Sequence, residues 1–229
     1  MRYAVVSDIH SNLEALTKVL NEIHKKQVDE IICLGDIVGY GANPDEVVEL
    51  VRQEVKYAVR GNHDDALFNN ETYASINSFA KSAITYNSGL LSERNMEWLR
   101  DIPLSHKIDH VLLVHASPSD PRGWKYVFTE TDSQVELSSF EEKICLIGHT
   151  HVPAIFKKTI SESESRELIN VGSVGQPRDG DNRASFGIID TNNLTYENSR
   201  IEYDFRTAAD KILAASLPSF LAERLYTGR

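Results

Sequence analysis

The sequence predicts an α/β fold in which strands alternate with helices around a largely parallel sheet. Three observations lead there. Apolar runs of strand length recur at Arg2–Ile9, Ile31–Leu34 and Lys56–Val59, and amphipathic helical stretches separate them. Each run leads into a cluster of polar residues rather than a tight hairpin turn. Strand–helix–strand order of this kind implies right-handed crossovers between parallel neighbours.

The elements follow in order. Asn12 is placed to cap a helix whose apolar residues Leu13, Leu16, Val19, Leu20 and Ile23 recur at helical spacing. Pro44, followed by Asp45 and Glu46, opens a second helix with Val47, Val48 and Val51 on its inner face. From Asp65 to Arg100 the pattern is helical and more polar, with no strand signal. Val111–His115 and Ile144–Ile147 are further apolar strands, separated by a loop at Ser117–Gly123 and a short helix near Ser133–Phe140. After His151 the chain turns β-rich, with strands at Ala154–Lys158, Leu168–Val171, Ala184–Asp190 and Tyr196–Tyr203. Ser161–Glu167 is a polar turn and Gln176–Arg183 a loop. The tail from Arg206 is helical, with a break at Leu217-Pro218. No repeat, low-complexity block or linker divides the chain, so residues 1–229 are expected to form one domain.

Composition narrows the class. With 229 residues, 41% hydrophobic and 25% charged, the chain has enough apolar surface for one large soluble core. No apolar run approaches a membrane span in length. The N-terminus enters a strand directly, so no signal peptide is expected. Cys33 and Cys145 sit in the apolar runs IICLGD and KICLIGH and are expected to be inert core thiols in a reducing cytoplasm. A net charge of −10 argues against broad nucleic-acid binding, so neither a duplex nor a membrane is an expected partner.

The strand ends carry the chemistry. Strand one ends in Asp8-Ile9-His10, strand two in Gly35-Asp36, and strand three in Gly61-Asn62-His63-Asp64. The strand at Val111 ends in His115, and the strand at Ile144 leads to Gly148-His149-Thr150-His151. Open α/β sheets place ligand sites at the C-terminal ends of their strands. Asp and His suit Mn, Fe, Zn or Co, whereas an all-thiolate set would indicate structural zinc. Asp8 and His10 are two apart, which on a regular strand puts them on one face, and His149 and His151 repeat that spacing. Glycines before Asp36, Asn62 and His149 allow tight turns.

With these five motifs in this order, the chain resembles the calcineurin-like metallophosphoesterase superfamily. Asn170-Val171-Gly172-Ser173-Val174-Gly175-Gln176-Pro177-Arg178 further resembles its small prokaryotic phosphodiesterase and dinucleoside-polyphosphatase branch. The resemblance implies a β-sandwich of two mixed sheets flanked by helices, a four-layer αββα arrangement. It implies two transition-metal ions (Mn, Fe, Zn, Co or Ni), one held by Asp8, His10 and His151, the other by Asn62, His115 and His149. Asp36 and a hydroxide would bridge them, and His63 would face the substrate as a catalyst without ligating metal. Cations about 4 Å apart repel strongly, and bridging anions offset that repulsion. The implied activity is hydrolysis of a small phosphodiester, phosphomonoester or dinucleoside polyphosphate. By their places in the chain, the helical segment 65–100 and the loop Ala116–Lys125 are expected to wall the site.

One departure bears on substrate. Protein Ser/Thr phosphatases of the superfamily carry an Arg soon after the second Gly-Asp, whereas here the run is Gly35-Asp36-Ile37-Val38-Gly39-Tyr40-Gly41. Two alternatives are a nuclease, for which this acidic chain lacks an evident DNA-binding element, and a non-catalytic protein-binding scaffold. Scaffold members lose ligands or the third-motif histidine, and none is lost here. Arg178 is either a phosphate contact or a structural ion-pair residue. Trp124 and Tyr126 either stack on a substrate base or pack in the core. Asp64 either orients His63 or caps the next helix, and Arg60 is read as the partner of a nearby acid. Tyr40, His106 and His110 are given no role, and His24 is a solvated helix residue.

Overall fold

The computed structural model describes residues 1–161 and 164–229. One sheet holds β1 (Arg2–Val6), β2 (Glu30–Cys33), β3 (Tyr57–Ala58), β9 (Ala184–Asp190) and β10 (Thr195–Ile201), in the order β10-β9-β1-β2-β3. The other holds β4 (Ser105–Ile108), β5 (Val111–Val114), β6 (Ile144–Ile147), β7 (Ala154–Ser161) and β8 (Glu164–Asn170), in the order β4-β5-β6-β8-β7. The neighbours β1–β2–β3 and β5–β6–β8 run parallel, and β9, β10, β4 and β7 are added antiparallel. The expected parallel core is therefore present twice, and each sheet is mixed.

Side-chain alternation builds the layers. Tyr3 and Val5 of β1 face inward with Ile32, Leu34 and Val59, and they meet Val111, Leu113, Ile144, Leu146 and Ile169 from the other sheet. Ala4 and Val6 face outward, against a helical layer. That layer contains α1 (Leu13–Ile23), α2 (Pro44–Glu54), α5 (Ser78–Ser88), α6 (Glu93–Asp101), α8 (Phe205–Ala214) and α9 (Ser219–Thr227), with the short α3 (Asn62–Asp65) and α4 (Asn70–Ser75) leading into α5. Leu112, Val114, Cys145 and Ile147 turn to the far face, where Leu137 and Phe140 follow α7 (Glu130–Glu136). Two sheets with helices outside give the four layers expected from the family resemblance.

Local chemistry accounts for the helix ends. Asn12 Oδ1 accepts from Ala15 N at 3.0 Å at the start of α1, as its position predicts. Pro44 occupies the first turn of α2, where its missing N–H costs nothing. Gly228 ends α9 in the left-handed region.

The differences lie at boundaries and edges. β1 stops at Val6, β5 at Val114, β10 begins at Thr195, and α7 lies a few residues before its expected place. The edge strand β4 was not foreseen: Ser-His-Lys-Ile is half polar, and pairing with β5 rather than local pattern defines it. β7 runs to Ser161 and β8 starts at Glu164, so most of the expected polar turn is strand; residues 162 and 163 lie outside the described residues. Among the described residues no helix is long and apolar enough to cross a membrane.

Leu146 is fully buried between the sheets. Leu146→Ala should lose about 2–5 kcal/mol of stability, read as a lower urea midpoint with an unchanged m-value. A loss below about 1 kcal/mol would mean that the sheets do not share this core.

Candidate metal centre

The parallel strands of both sheets end on one edge of the sandwich, and backbone contacts join them there. His149 N donates to both oxygens of Asp8, and Gly175 N donates to Asp8 O. His115 Nδ1 donates to Leu34 O at 2.8 Å, so an imidazole from one sheet is aimed by a carbonyl of the other.

The residues at this edge share an unusual backbone. Asp8, His10, Asp36, His149 and His151 all have positive φ, between 50° and 67°, and Ser11 and Tyr40 join them at 52° and 49°. This corrects the expectation that Asp8 and His10 share a strand face. Both lie beyond β1 in left-handed turns, and His149 and His151 lie beyond β6. Such conformations cost about 1–3 kcal/mol each in non-glycine residues, and they persist only where surrounding structure fixes them. Here Asp8 N donates to Gly35 O, His10 N to Asp36 O and Ser11 N to Ile37 O. Gly61 must lack a side chain, since a Cβ would lie 2.1 Å from Asp36 Oδ1. At Gly39, φ is +97°, and a Cβ would meet the His63 ring.

Two groups of donors result. Asp8, His10, Asp36 and His151 bring ligand-type atoms within 4.8 Å of one another, and so do Asp36, His115 and His149. All are buried, and Asp36 belongs to both groups. Asn62 begins α3 beside them, and its buried Oδ1 has no hydrogen-bond partner. His63 follows, with its Nδ1 buried and unpartnered and its ring lining the same cleft as Tyr40, Asn62 and His149. The structure thus brings together every residue the sequence singled out as a ligand, with His63 alongside.

Hydrogen bonds fix the tautomers. His10 Nδ1 donates to Val38 O and His151 Nδ1 to Gln176 O, which leaves a lone pair on each Nε2. Those two lone pairs face each other at 3.2 Å. His149 donates through Nε2 to Trp124 O, which frees Nδ1. Facing lone pairs beside two buried carboxylates repel unless a cation lies among them, so the donor set fits metal ions.

Titration follows the same crowding. Burial pushes His10, His149 and His151 down, His149 to about 3, so each stays a neutral donor. Burial raises Asp8 to about 6, with Asp36 adding to the rise, while Asp36 itself is held well below the usual range: the nearby His115 and His63 outweigh its burial. Two adjacent buried carboxyls do not ionise alike. His115 goes the other way. Burial lowers it, but Asp36, 3.3 Å from its Nε2, together with Asp8 and the Leu34 carbonyl outweighs that and lifts it to about 9.

The supporting residues fill in the remainder. Asp64 accepts from Gly61 N at the start of α3, as a cap should, and also from Ile37 N and Val38 N, tying the second motif to the third. Arg60 pairs with Asp65 at 3.0 Å and donates to carbonyls at the end of α6. Tyr40, left without a role by the sequence, packs its ring 4.6 Å from His10 and 4.5 Å from His63. Arg178 stands 5.5 Å over the Tyr40 ring and makes no ion pair among the described residues. Tyr126 stacks on His149 at 4.1 Å with its ring half exposed, so it is not a core residue. His24, His106 and His110 take no part in the cluster.

Asn87 escaped sequence reasoning. Its Oδ1 accepts from Ser11 Oγ and Gly39 N, and its Nδ2 donates to Gly41 O, so α5 pins both left-handed turns. A signal existed: Asn87 continues the buried stripe Ala80, Ala83, Ile84, where an apolar residue is expected. Ser173, whose hydroxyl donates to Asp8 O, and Ser7, which donates to Asp8 Oδ2, carried no such signal.

Comparisons with known proteins agree with this arrangement. The model of the calcineurin-like phosphoesterase superfamily domain matches residues 1–194. The chain is 40% identical, over 99% of its length and 98% of the relative's, to the uncharacterized protein MJ0912 of Methanocaldococcus jannaschii. It is similar to the crystal structure of a metallophosphoesterase from Sphaerobacter thermophilus, with a TM-score of 0.88, 34% identity, and 100% and 99% of the two chains covered. A hypothetical protein PH1004 from Pyrococcus horikoshii shares the fold at a TM-score of 0.84 and 22% identity, with 100% and 98% covered.

The raised His115 gives a prediction with a definite sign. Below its pKa of about 9 the metal-free site carries a proton on His115. A cation held by Nε2 requires the neutral ring, so metal uptake at pH 7.5 should release roughly one proton. Calorimetric titration of manganese in buffers of different ionisation enthalpy measures this directly. No proton release between pH 7 and 8.5 would show that His115 is not a ligand.

Proposed function

Since the chain belongs to the calcineurin-like phosphoesterase superfamily, we propose that it is a binuclear metal-dependent hydrolase of a small phosphorylated substrate. One observation carries this reading: Asp36 is shared by two buried donor groups whose free lone pairs converge. Asp8, His10 and His151 would hold one ion, and Asn62, His115 and His149 the other, with Asp36 between them. Two bound cations supply charge for the phosphoryl oxygens and acidify a water molecule.

The protein's own groups do the rest. Asn62 contributes an oxygen without charge, which limits the negative field facing an anionic substrate. His63 places its ring in the cleft and is fixed from behind by Gly39. Burial lowers its pKa to about 4, so in the free site the ring is neutral. A phosphate bound beside it brings negative charge and favours the imidazolium, which then protonates the leaving oxygen. Arg178, free of carboxylate partners over Tyr40, contacts the phosphate. Ser75, Asn77 and Ala80 line one side of the cleft, and Gly123 and Trp124 another. This is a setting for a small substrate rather than a duplex. The retention of every donor favours hydrolysis over a scaffold role. Two buried free thiols suit a cytoplasmic location, with residues 1–229 acting as one domain.

Two substitutions test the reading. Asp36→Asn should abolish turnover and impair both metal sites, whereas Asn62→Ala should weaken mainly one. If Asp36→Asn keeps two tightly bound ions and normal turnover, the binuclear assignment is wrong. His63→Asn should lose about 10²–10⁴-fold on an alkyl or ribosyl ester and much less on a nitrophenyl ester, whose leaving group needs no proton. Bound metal should stay at the wild-type level. Equal losses on both esters would remove the acid role, and lost metal would make His63 a ligand.

A further inference from the structure

Resting on that reading, we propose that Trp124 and Tyr126 form an aromatic wall that stacks on a nucleobase of the substrate. The class this selects is a phosphate ester whose organic group is a nucleoside.

The loop after β5 brings rings to the donor cluster. Gly123 N donates to Asp120 O at 3.0 Å, which closes a tight turn. Trp124 leaves that turn with φ at 48°, a conformation that bulky side chains rarely adopt. Two contacts hold it there. Its carbonyl accepts from His149 Nε2 at 3.0 Å, and its ring stands 6.2 Å from that of His115. Two residues on, the Tyr126 ring stacks on His149 at 4.1 Å. Both rings therefore stand beside candidate ligands, and both line the cleft that holds Asn62 and His63.

Exposure supplies the second argument. Val127, between the rings in sequence, is buried with Leu137 and Phe140, so the loop already has its apolar anchor. Tyr126 is nevertheless 51% exposed, and Phe128 57%. Phe128 runs parallel to Tyr126 with centroids 5.4 Å apart, an offset stack that leaves part of the Tyr126 face uncovered. Single exposed apolar residues are ordinary, but two large rings stacked at the rim of a polar cleft make a patch suited to an apolar ligand. From the other side of the cleft Ile76 and Ala80 present aliphatic groups, so a flat ring meets apolar surface on both sides.

The size and order of the cleft suit one nucleoside. Its volume is about 340 Å³, small for a ligand pocket, so it has room for one base and its sugar. Polar donors stand at one end, at Asn62, His63 and His149, and the rings stand beside them. A ring on the open part of Tyr126 is set back from the donor atoms by the His149 imidazole. A sugar spans that gap, whereas an aryl ring bonded directly to the phosphate oxygen does not reach across it. Stacking is tolerant of base identity, so the wall selects for a base without choosing among bases.

The test measures inhibition of bis(p-nitrophenyl) phosphate hydrolysis by the manganese-loaded full chain. Adenosine 5′-monophosphate, ribose 5-phosphate and phenyl phosphate share a phosphate and differ in what it carries. On the wild type, adenosine 5′-monophosphate should inhibit about tenfold or more tightly than the other two, the scale of one base stacked on an aromatic side chain. Tyr126→Leu keeps apolar bulk against His149 and should bring the three inhibition constants together, with bound metal at the wild-type level. Tyr126→Phe keeps the ring and should keep the preference. Tyr226→Leu removes an equally exposed ring from α9 and should also preserve it. A wild type without the preference, or a Tyr126→Leu variant that retains it, would overturn the wall. Lost metal in Tyr126→Leu, or equal weakening of all three inhibitors, would overturn it too, since Tyr126 would then serve only to pack His149. A Tyr126-dependent preference for phenyl phosphate would overturn the nucleoside class. While the reporter ester is cleaved, each of these failures leaves the hydrolase reading standing. If it is not cleaved, the hydrolase reading and the wall fail together.

Discussion

The buried charge of Asp36 is the constraint around which the rest of the structure is arranged. Its carboxylate is 1% exposed, at the end of a central strand, in a left-handed turn. An isolated carboxylate in such a place would lose its charge. This one keeps it because His63 N donates to Oδ1 while the protonated His115 approaches Oδ2 at 3.3 Å. A second carboxylate, Asp8, lies in the same cluster and is pushed toward its neutral form for want of more positive charge. Three neutral imidazoles, an unpaired amide oxygen and two carboxyls converge with the His115 proton as their one positive charge, a balance that metal ions would complete.

Holding that cluster requires a strained backbone, and the strain explains much of the surrounding sequence. Seven residues with positive φ converge at one edge, each in a conformation that a free chain rarely adopts. Asp64 secures the turn after β2 with backbone donors from two motifs. Asn87 reaches in from α5 to hold Ser11 and Gly39. Ser173 fastens Asp8 from the loop after β8. These groups lie outside the donor cluster, yet they set the positions of the residues in it, and the cleft keeps its shape only because they remain buried and satisfied. The wall opposite them is softer: Tyr126 and Phe128 stack in parallel with their faces half exposed, above His149.

How much of this was legible before the structure can be judged from particular residues. The strands at Ile144–Ile147 and Ala184–Asp190 and the helix capped by Asn12 follow from apolar spacing and a single cap, because local burial leaves a periodic trace. The candidate ligands were legible for a different reason: Asp, His and Asn after apolar runs are conspicuous, and the order of the motifs resembles a known family. β4 was not legible, since an edge strand with alternating exposure has little apolar signal. The reversal of β9 against β1 was equally hidden, because strand direction is a property of the connection and not of the strand.

The sequence by itself determined the buried strands and the amphipathic helices, which residues can bind metal, and that they stand at strand ends. The tertiary structure decided how those residues meet. Asp8 and His10 do not share a strand face, as their spacing implies, but leave β1 in consecutive left-handed turns. Arg178 is without an acid partner because Asp179 and Asp181 turn to other arginines. Ser173 acts on Asp8 across 165 positions and Asn87 on Ser11 across 76. Periodicity reports only whether a residue is buried. Which groups it is buried against depends on contacts between distant segments, and packing alone sets those.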